Sequence, residues 1–233
     1  MMNAVKFKRT VGGITVLSGI IGFTSYFLVA GSVSFNFEFF SNPSLIFSMP
    51  DVNIVMLRWS MITDLFGYYL LLLPFIFFMH EWLLNKSAWR KLFTFCGTAY
   101  VMAGAIGAAI LAVTWPAFLT KYPGSPHEQQ ETIKLLFESF SLMVGNGIWN
   151  LFDTLVCGVW MIGIGVYIKR VKSFLGWFTV AVGIISLLDG FGNMLELSEV
   201  SDLALNLFLF LAPLWAIFIG FAVMRNSFSL EKS

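Results

Sequence analysis

Charge is what this sequence has least of. Only 12% of its 233 residues are Asp, Glu, Lys or Arg, about half of the ~25% usual in soluble domains. So few charges cannot coat a water-soluble globule of this size. The net charge of +1 gives no electrostatic footprint for a nucleic acid, and no nucleic-acid partner is expected. Cysteine is nearly absent. Cys96 and Cys157 both fall in apolar runs, so they provide neither a disulfide framework nor metal-ligand spacing. They read as small buried hydrophobes. Histidine is equally scarce. His80 and His127 have no second ligand at metal spacing, so no metal is expected, and zinc-dependent membrane hydrolysis is disfavoured. There is no GxGxxG, Walker loop, GxSxG or HExxH, and no cofactor is identified. No lysine interrupts an apolar run, which argues against a retinal protein.

What is present is long hydrophobic sequence. Apolar residues make up 58% of the chain, and mean hydropathy is +0.82. Runs of about 20 residues, enough to cross a bilayer as a helix, recur along it without the alternation of a membrane barrel. The expectation is an all-α polytopic membrane protein, a bundle of six transmembrane helices in one domain. The spans are read at about 10–30, 57–83, 92–115, 142–168, 174–197 and 203–224. The lipid bilayer is the first expected partner; whether copies form a homo-oligomer is left open. Gly12, Gly13, Gly19 and Gly22 suit span 1 to close packing, as do Gly97, Gly104 and Gly107 in span 3. Trp115-Pro116 marks a stop for span 3. Ser125-Pro126-His127-Glu128 reads as a capped helix start, with Ser125 as N-cap. It opens an amphipathic helix at about 126–140, either lying on the surface or extending span 4. The loop at 31–57 is rich in phenylalanine (Phe35, Phe37, Phe39, Phe40, Phe47), so it should lie in the headgroup region or fold over the bundle.

The basic residues are distributed unevenly. Lys6, Lys8, Arg9, Lys86, Arg90, Lys91, Lys169, Arg170, Lys172, Arg225 and Lys232 fall on one side of the six spans. Arg58, Lys121 and Lys134 fall on the other, 11 against 3. The positive-inside rule then places both termini in the cytoplasm, N-in and C-in.

The few polar residues inside the spans form patterns. Asn146, Asn150 and Asp153 recur at i, i+4, i+7, one face of an α-helix. Asp189, Asn193 and Glu196 repeat the spacing in span 5, and Asp64 sits in span 2 between Ser60 and Tyr68. An ionised side chain costs about 2.5–3.5 kcal/mol at the bilayer centre. Three unpaired aspartates would cost roughly 8–10 kcal/mol, as much as a domain's whole net stability. They must be paired, protonated or wet. The orientation above puts all of them, with Ser25, Tyr26 and Asn206, in the outer half of the bundle. The sequence therefore predicts an outward-facing polar pocket over an apolar floor. Its candidate ligand-binding residues are Asp64, Tyr68, Asn146, Asn150, Asp153, Asp189, Asn193 and Glu196.

Carboxylates and amides suit a hard cation, a proton or an amine-bearing molecule, and Trp149, Trp160, Tyr68 and Tyr69 offer cation–π contacts. Binding or transport of a small ligand or cation is the leading expectation. If transport is involved, Gly67, Pro74 and Pro213 are candidate hinges. Two alternatives stand beside it: a membrane enzyme using paired carboxylates, and a structural or assembly role in which the polar groups only fix packing. No nucleophile–base pair stands out, so enzyme activity is not favoured.

Several short motifs occur in a telling order. They are Gly67-Tyr68-Tyr69-Leu70 leading to Pro74, Trp115-Pro116, the helix-start loop before span 4, Leu175-Gly176-Trp177, and Pro213-Leu214-Trp215. Together they resemble the uncharacterised bacterial six-span family catalogued as domain of unknown function 4386. The resemblance covers nearly the whole chain. It implies the six-span architecture and an inner-membrane setting, and no activity. The chain departs from that family at Gly145-Asn146-Gly147-Ile148-Trp149-Asn150, where the family has a more charged, histidine-containing stretch.

Overall fold

A computed structural model describes residues 4–36, 38, 42–225, 227 and 228. Phe37, Phe39, Phe40 and Lys232 lie outside the described residues. The described chain is helical, without strands, and six helices are long and apolar enough to cross a membrane. They are α1 (Ala4–Ser32), α2 (Ile54–Trp82), α3 (Arg90–Lys121), α4 (His127–Ile168), α5 (Ser173–Met194) and α6 (Ser198–Met224). This is a multi-pass membrane protein.

Each helix packs against its chain neighbours, and α6 closes on α1, so the six form a ring. Small residues bring α1 and α6 into contact. A Cβ on Gly12 would stand 2.5 Å from the Gly220 carbonyl, and one on Gly19 would overlap the Pro213 carbonyl. The α1–α2 connection is tied across its base. The Asn53 amide donates to the Ser32 carbonyl at 2.9 Å, and the Asn53 side chain caps α2 by accepting from the Met56 amide at 3.0 Å.

Two expectations about helix ends are corrected. Pro116 does not stop α3, which runs on to Lys121. The last turns are held by packing: the Trp115 indole donates to Ser141 of α4 at 2.7 Å, and Leu119 is buried. Ser125 does not cap α4. Its hydroxyl turns back and donates to the Lys121 carbonyl at 2.9 Å, Pro126 takes the N-cap position, and the helix begins at His127. The amphipathic stretch and span 4 are a single helix of 42 residues, about 63 Å long at 1.5 Å per residue. That is twice the ~30 Å hydrocarbon thickness, so its first turns stand beyond the bilayer, paired with the end of α3.

Two packed clusters fill the ring. One, toward the chain termini, centres on Phe75, Tyr69, Tyr100, Trp160 and Trp215. The other, toward the α1–α2 and α3–α4 connections, gathers Val29, Leu57, Met61, Leu111, Trp115 and Phe137. The short 3-10 turn Pro43–Ser48 folds over this second cluster. Its Phe47 packs against Tyr122 and Phe137, with ring centroids 4.4 and 5.1 Å away. The aromatic loop thus covers one end of the bundle, one of the two arrangements expected of it.

The helices are not regular where the clusters meet. In α2, residues Leu65–Tyr69 widen into a π-helical turn, followed by a 3-10 turn at Leu70–Leu72. In α4, the wide winding runs through Met143–Asp153. One buried aspartate borders each wide segment: Asp64 precedes the first, and Asp153 ends the second.

Candidate functional site

A chamber of about 100 Å³ lies between the two clusters, on the ring axis. Five of the six helices contribute to its wall: Ser25 and Tyr26 from α1, Asp64 and Tyr68 from α2, Leu111 and Trp115 from α3, Asn146, Trp149 and Asn150 from α4, and Leu205 and Leu209 from α6. Pro43 of the covering turn closes the top. Below it the aromatic cluster leaves a crevice of only about 10 Å³, room for one water at most. The chamber therefore has a filled floor.

The chamber's geometry follows from its irregular backbone. A proline in α6 leaves the Leu209 carbonyl, four residues earlier, without its helical partner. Tyr68 replaces that partner: its hydroxyl donates to Leu209 O at 2.5 Å. This fixes the Tyr68 ring across the chamber's base. At the widened turn of α2, the Ser18 hydroxyl donates to the Gly67 carbonyl. One turn earlier, Ser25 donates to Ser60 O at 2.9 Å and reaches Asp64 Oδ1 at 3.5 Å. Trp149 is seated by the small face of α3. Its indole donates to Gly104 O at 3.3 Å, where a Cβ on Gly107 would collide with it.

Asp64 is 8% exposed, and among the described residues its one side-chain hydrogen-bond contact is the long one from Ser25. Among the described residues the one ion pair is Lys134–Glu131, on the surface. No lysine or arginine lines the chamber, and Arg58 is exposed on α2.

The predicted stripe on α4 is split. On an α-helix Asn146, Asn150 and Asp153 would share a face. Wide winding advances each residue by roughly 80° instead of 100°, which keeps the asparagines together and turns Asp153 well away. Asn146 and Asn150 line the chamber; Asp153 does not. It is 4% exposed and lies within electrostatic reach of Tyr69, Tyr100 and Cys157, and of Asp64. Its Oδ1 is buried without a hydrogen-bond partner.

The α5 residues form a separate feature. Asp189 is fully buried and accepts at Oδ1 from the Ser201 hydroxyl at 2.7 Å and from the Asn193 amide at 2.9 Å. Asn193 and Ser201 are themselves 2.5 Å apart. This clasp joins α5 to α6 where Gly192 lets the Ser201 backbone approach. Beside it lies a second cavity of about 180 Å³, lined by Asn146, Asn150, Asn193, Ser198, Ser201, Asp202 and Leu205. Glu196 lies outside both cavities. The helix has ended at Met194, and Glu196 is exposed in the following turn at φ +57°. The spacing that joined it to Asp189 assumed one more helical turn. Asn206 is exposed and donates to the Asp202 carbonyl. His80 contacts Thr94 Oγ1 at 2.7 Å through Nδ1, and no cluster of three metal-ligating side chains occurs among the described residues.

Sequence reasoning did not find Trp115, Ser141, Leu205, Leu209 or Ser201 as wall or clasp residues. Ser201, Leu205 and Leu209 stand at i, i+4, i+8 on one face of α6, a signal that was legible but mostly apolar. Compared with models of known families, with characterised proteins and with solved structures, the chain matches none.

Proposed function

We propose that this membrane protein binds a small cation or a small amine in the chamber beside Asp64, from the extracytoplasmic side of the plasma (inner) membrane. The observation that carries this reading is a buried carboxylate in a cavity whose wall holds no basic side chain. Such a group needs a cation, a proton or water. Tyr26, Tyr68 and Trp149 line the same space and suit an ammonium, which is attracted to aromatic faces by about 0.5–2 kcal/mol. The volume decides the size of the ligand. A cavity of about 100 Å³ is smaller than the ~150 Å³ that accommodates benzene, so the fit is to an alkali ion with water, ammonium, or an amine of a few carbons.

Transport would need a second state with the floor open. Pro74, after the irregular turns of α2, and Pro213, at the floor, are where α2 and α6 would bend.

The test is thermal unfolding of detergent-purified protein across ammonium, short alkylamines and alkali ions. A ligand at 100 times its Kd adds about 2.7 kcal/mol, a shift of several degrees in Tm. The shift is expected to vanish in Asp64→Asn. Asp64→Asn that changes basal stability, with no cation stabilising either protein, would instead assign Asp64 to packing.

A further inference from the structure

The chamber and the second cavity share three wall residues, Asn146, Asn150 and Leu205. The second cavity lies at the start of α6, beside the α5–α6 turn, and its lining residues are asparagine, serine and aspartate except for Leu205. We infer that the chamber is reached sideways from this polar anteroom, through a portal formed by Asn146, Asn150 and Leu205, and that its cargo is a water-borne hydrophilic cation. This rests on the reading of the chamber above and adds a route, a second contact site and a source for the ligand.

Three observations favour the side route. The axial route is covered: Pro43 lines the chamber, Ile46 beside it is 2% exposed, and Phe47 wedges against Tyr122 and Phe137. The floor is packed with aromatic rings. At the portal, by contrast, α4 is in its wide winding, and a Cβ added to Gly145, in the chamber wall beside Asn146, would meet nothing within 4 Å. The backbone carrying both asparagines has open space beside it.

The lining sets the ligand class. Along the route stand two carboxylates, Asp202 and Asp64, and two amides at the narrow point, with no lysine or arginine. Amide and carboxylate oxygens exchange for water around a small cation. A long-chain amine from the bilayer would have to draw its chain past those groups, which the anteroom does not reward.

The experiment reads access without needing the ligand to be known. Met61 is buried and lines the chamber, so a cysteine there reports arrival. In full-length protein with Cys96→Ala and Cys157→Ala, Met61→Cys is labelled with methyl methanethiosulfonate. Leu205→Trp is expected to slow labelling at least tenfold, and Leu205→Ala to speed it. Phe47→Ala, which loosens the cover, is expected to leave the rate within twofold. A Phe47→Ala rate that rises while both Leu205 variants match the parent would overturn the side route in favour of the axis. So would no labelling in any variant. In Asn150→Cys, a trimethylammonium reagent should outpace a sulfonate one by tenfold or more, with Asp202→Asn narrowing the gap; equal rates would refute a cationic cargo. None of these rates depends on the thermal-shift result. Failure of the route and failure of Asp64 as a binding site are therefore separable.

Discussion

Pro213 and Tyr68 act as one unit, although 145 positions separate them in the chain. The proline withholds an N–H from the Leu209 carbonyl, and the tyrosine hydroxyl supplies the missing donor at 2.5 Å. Tyr68→Phe should therefore leave a carbonyl unsatisfied and lower stability by about 1–3 kcal/mol. The decisive measurement is a double-mutant cycle in thermal or denaturant unfolding. With Pro213→Ala, the new backbone N–H serves Leu209, and the cost of Tyr68→Phe should shrink by about 1 kcal/mol. A cost that stays the same would mean that the tyrosine stabilises by ring packing alone. Both residues belong to motifs conspicuous in the sequence, yet nothing there paired them. A tertiary hydrogen bond to a backbone atom leaves no side-chain pattern.

At the scale of helices, two of the three buried aspartates have opposite fates. Asp64 faces a chamber, and Asp189 is bound into the α5–α6 clasp by Ser201 and Asn193. Ser201→Ala should cost about 1–3 kcal/mol, the usual result of stripping a donor from a buried acceptor. It should leave the cation-induced Tm shift at Asp64 intact. Loss of that shift, measured on the same detergent-purified protein, would show that the clasp, through Asp189 or through Ser201 in the anteroom wall, belongs to the binding site. The six spans were legible because hydrophobic length is a summed signal that no single residue can spoil. The polar patterns held over a single turn, even for Asn146 and Asn150 in the wide winding, and failed over two turns where the winding changed or the helix ended. Asp189 and Asn193 kept their shared face. Asp153 lost its place beside Asn150 because α4 is wound wide from Met143 to Asp153, and Glu196 lost its place because α5 ends at Met194. Pro116 misled for a related reason: a proline breaks an isolated helix, but Trp115 and Leu119 are held by neighbours that the local sequence does not display.

For the whole molecule, function hinges on which end faces out. The chamber, the anteroom and the long α3–α4 hairpin all lie toward the end that carries Arg58, Lys121 and Lys134, while the other described basic residues cluster toward the opposite end. We propose that this bias sets insertion, with the Lys- and Arg-rich end retained on the cytoplasmic side. The hairpin gives a direct way to check it. Ser125, at its tip, and Ser87, in the connection between α2 and α3, lie at opposite ends of the ring. On intact cells, a membrane-impermeant maleimide should label Ser125→Cys and leave Ser87→Cys unlabelled until the membrane is opened. The chamber would then sample the extracytoplasmic solution, where dissolved cations reach the anteroom directly. The reverse pattern would turn the anteroom toward the cytoplasm. Asp64 would keep its chemistry, but the cargo would be a cytoplasmic cation and the side portal an internal access route.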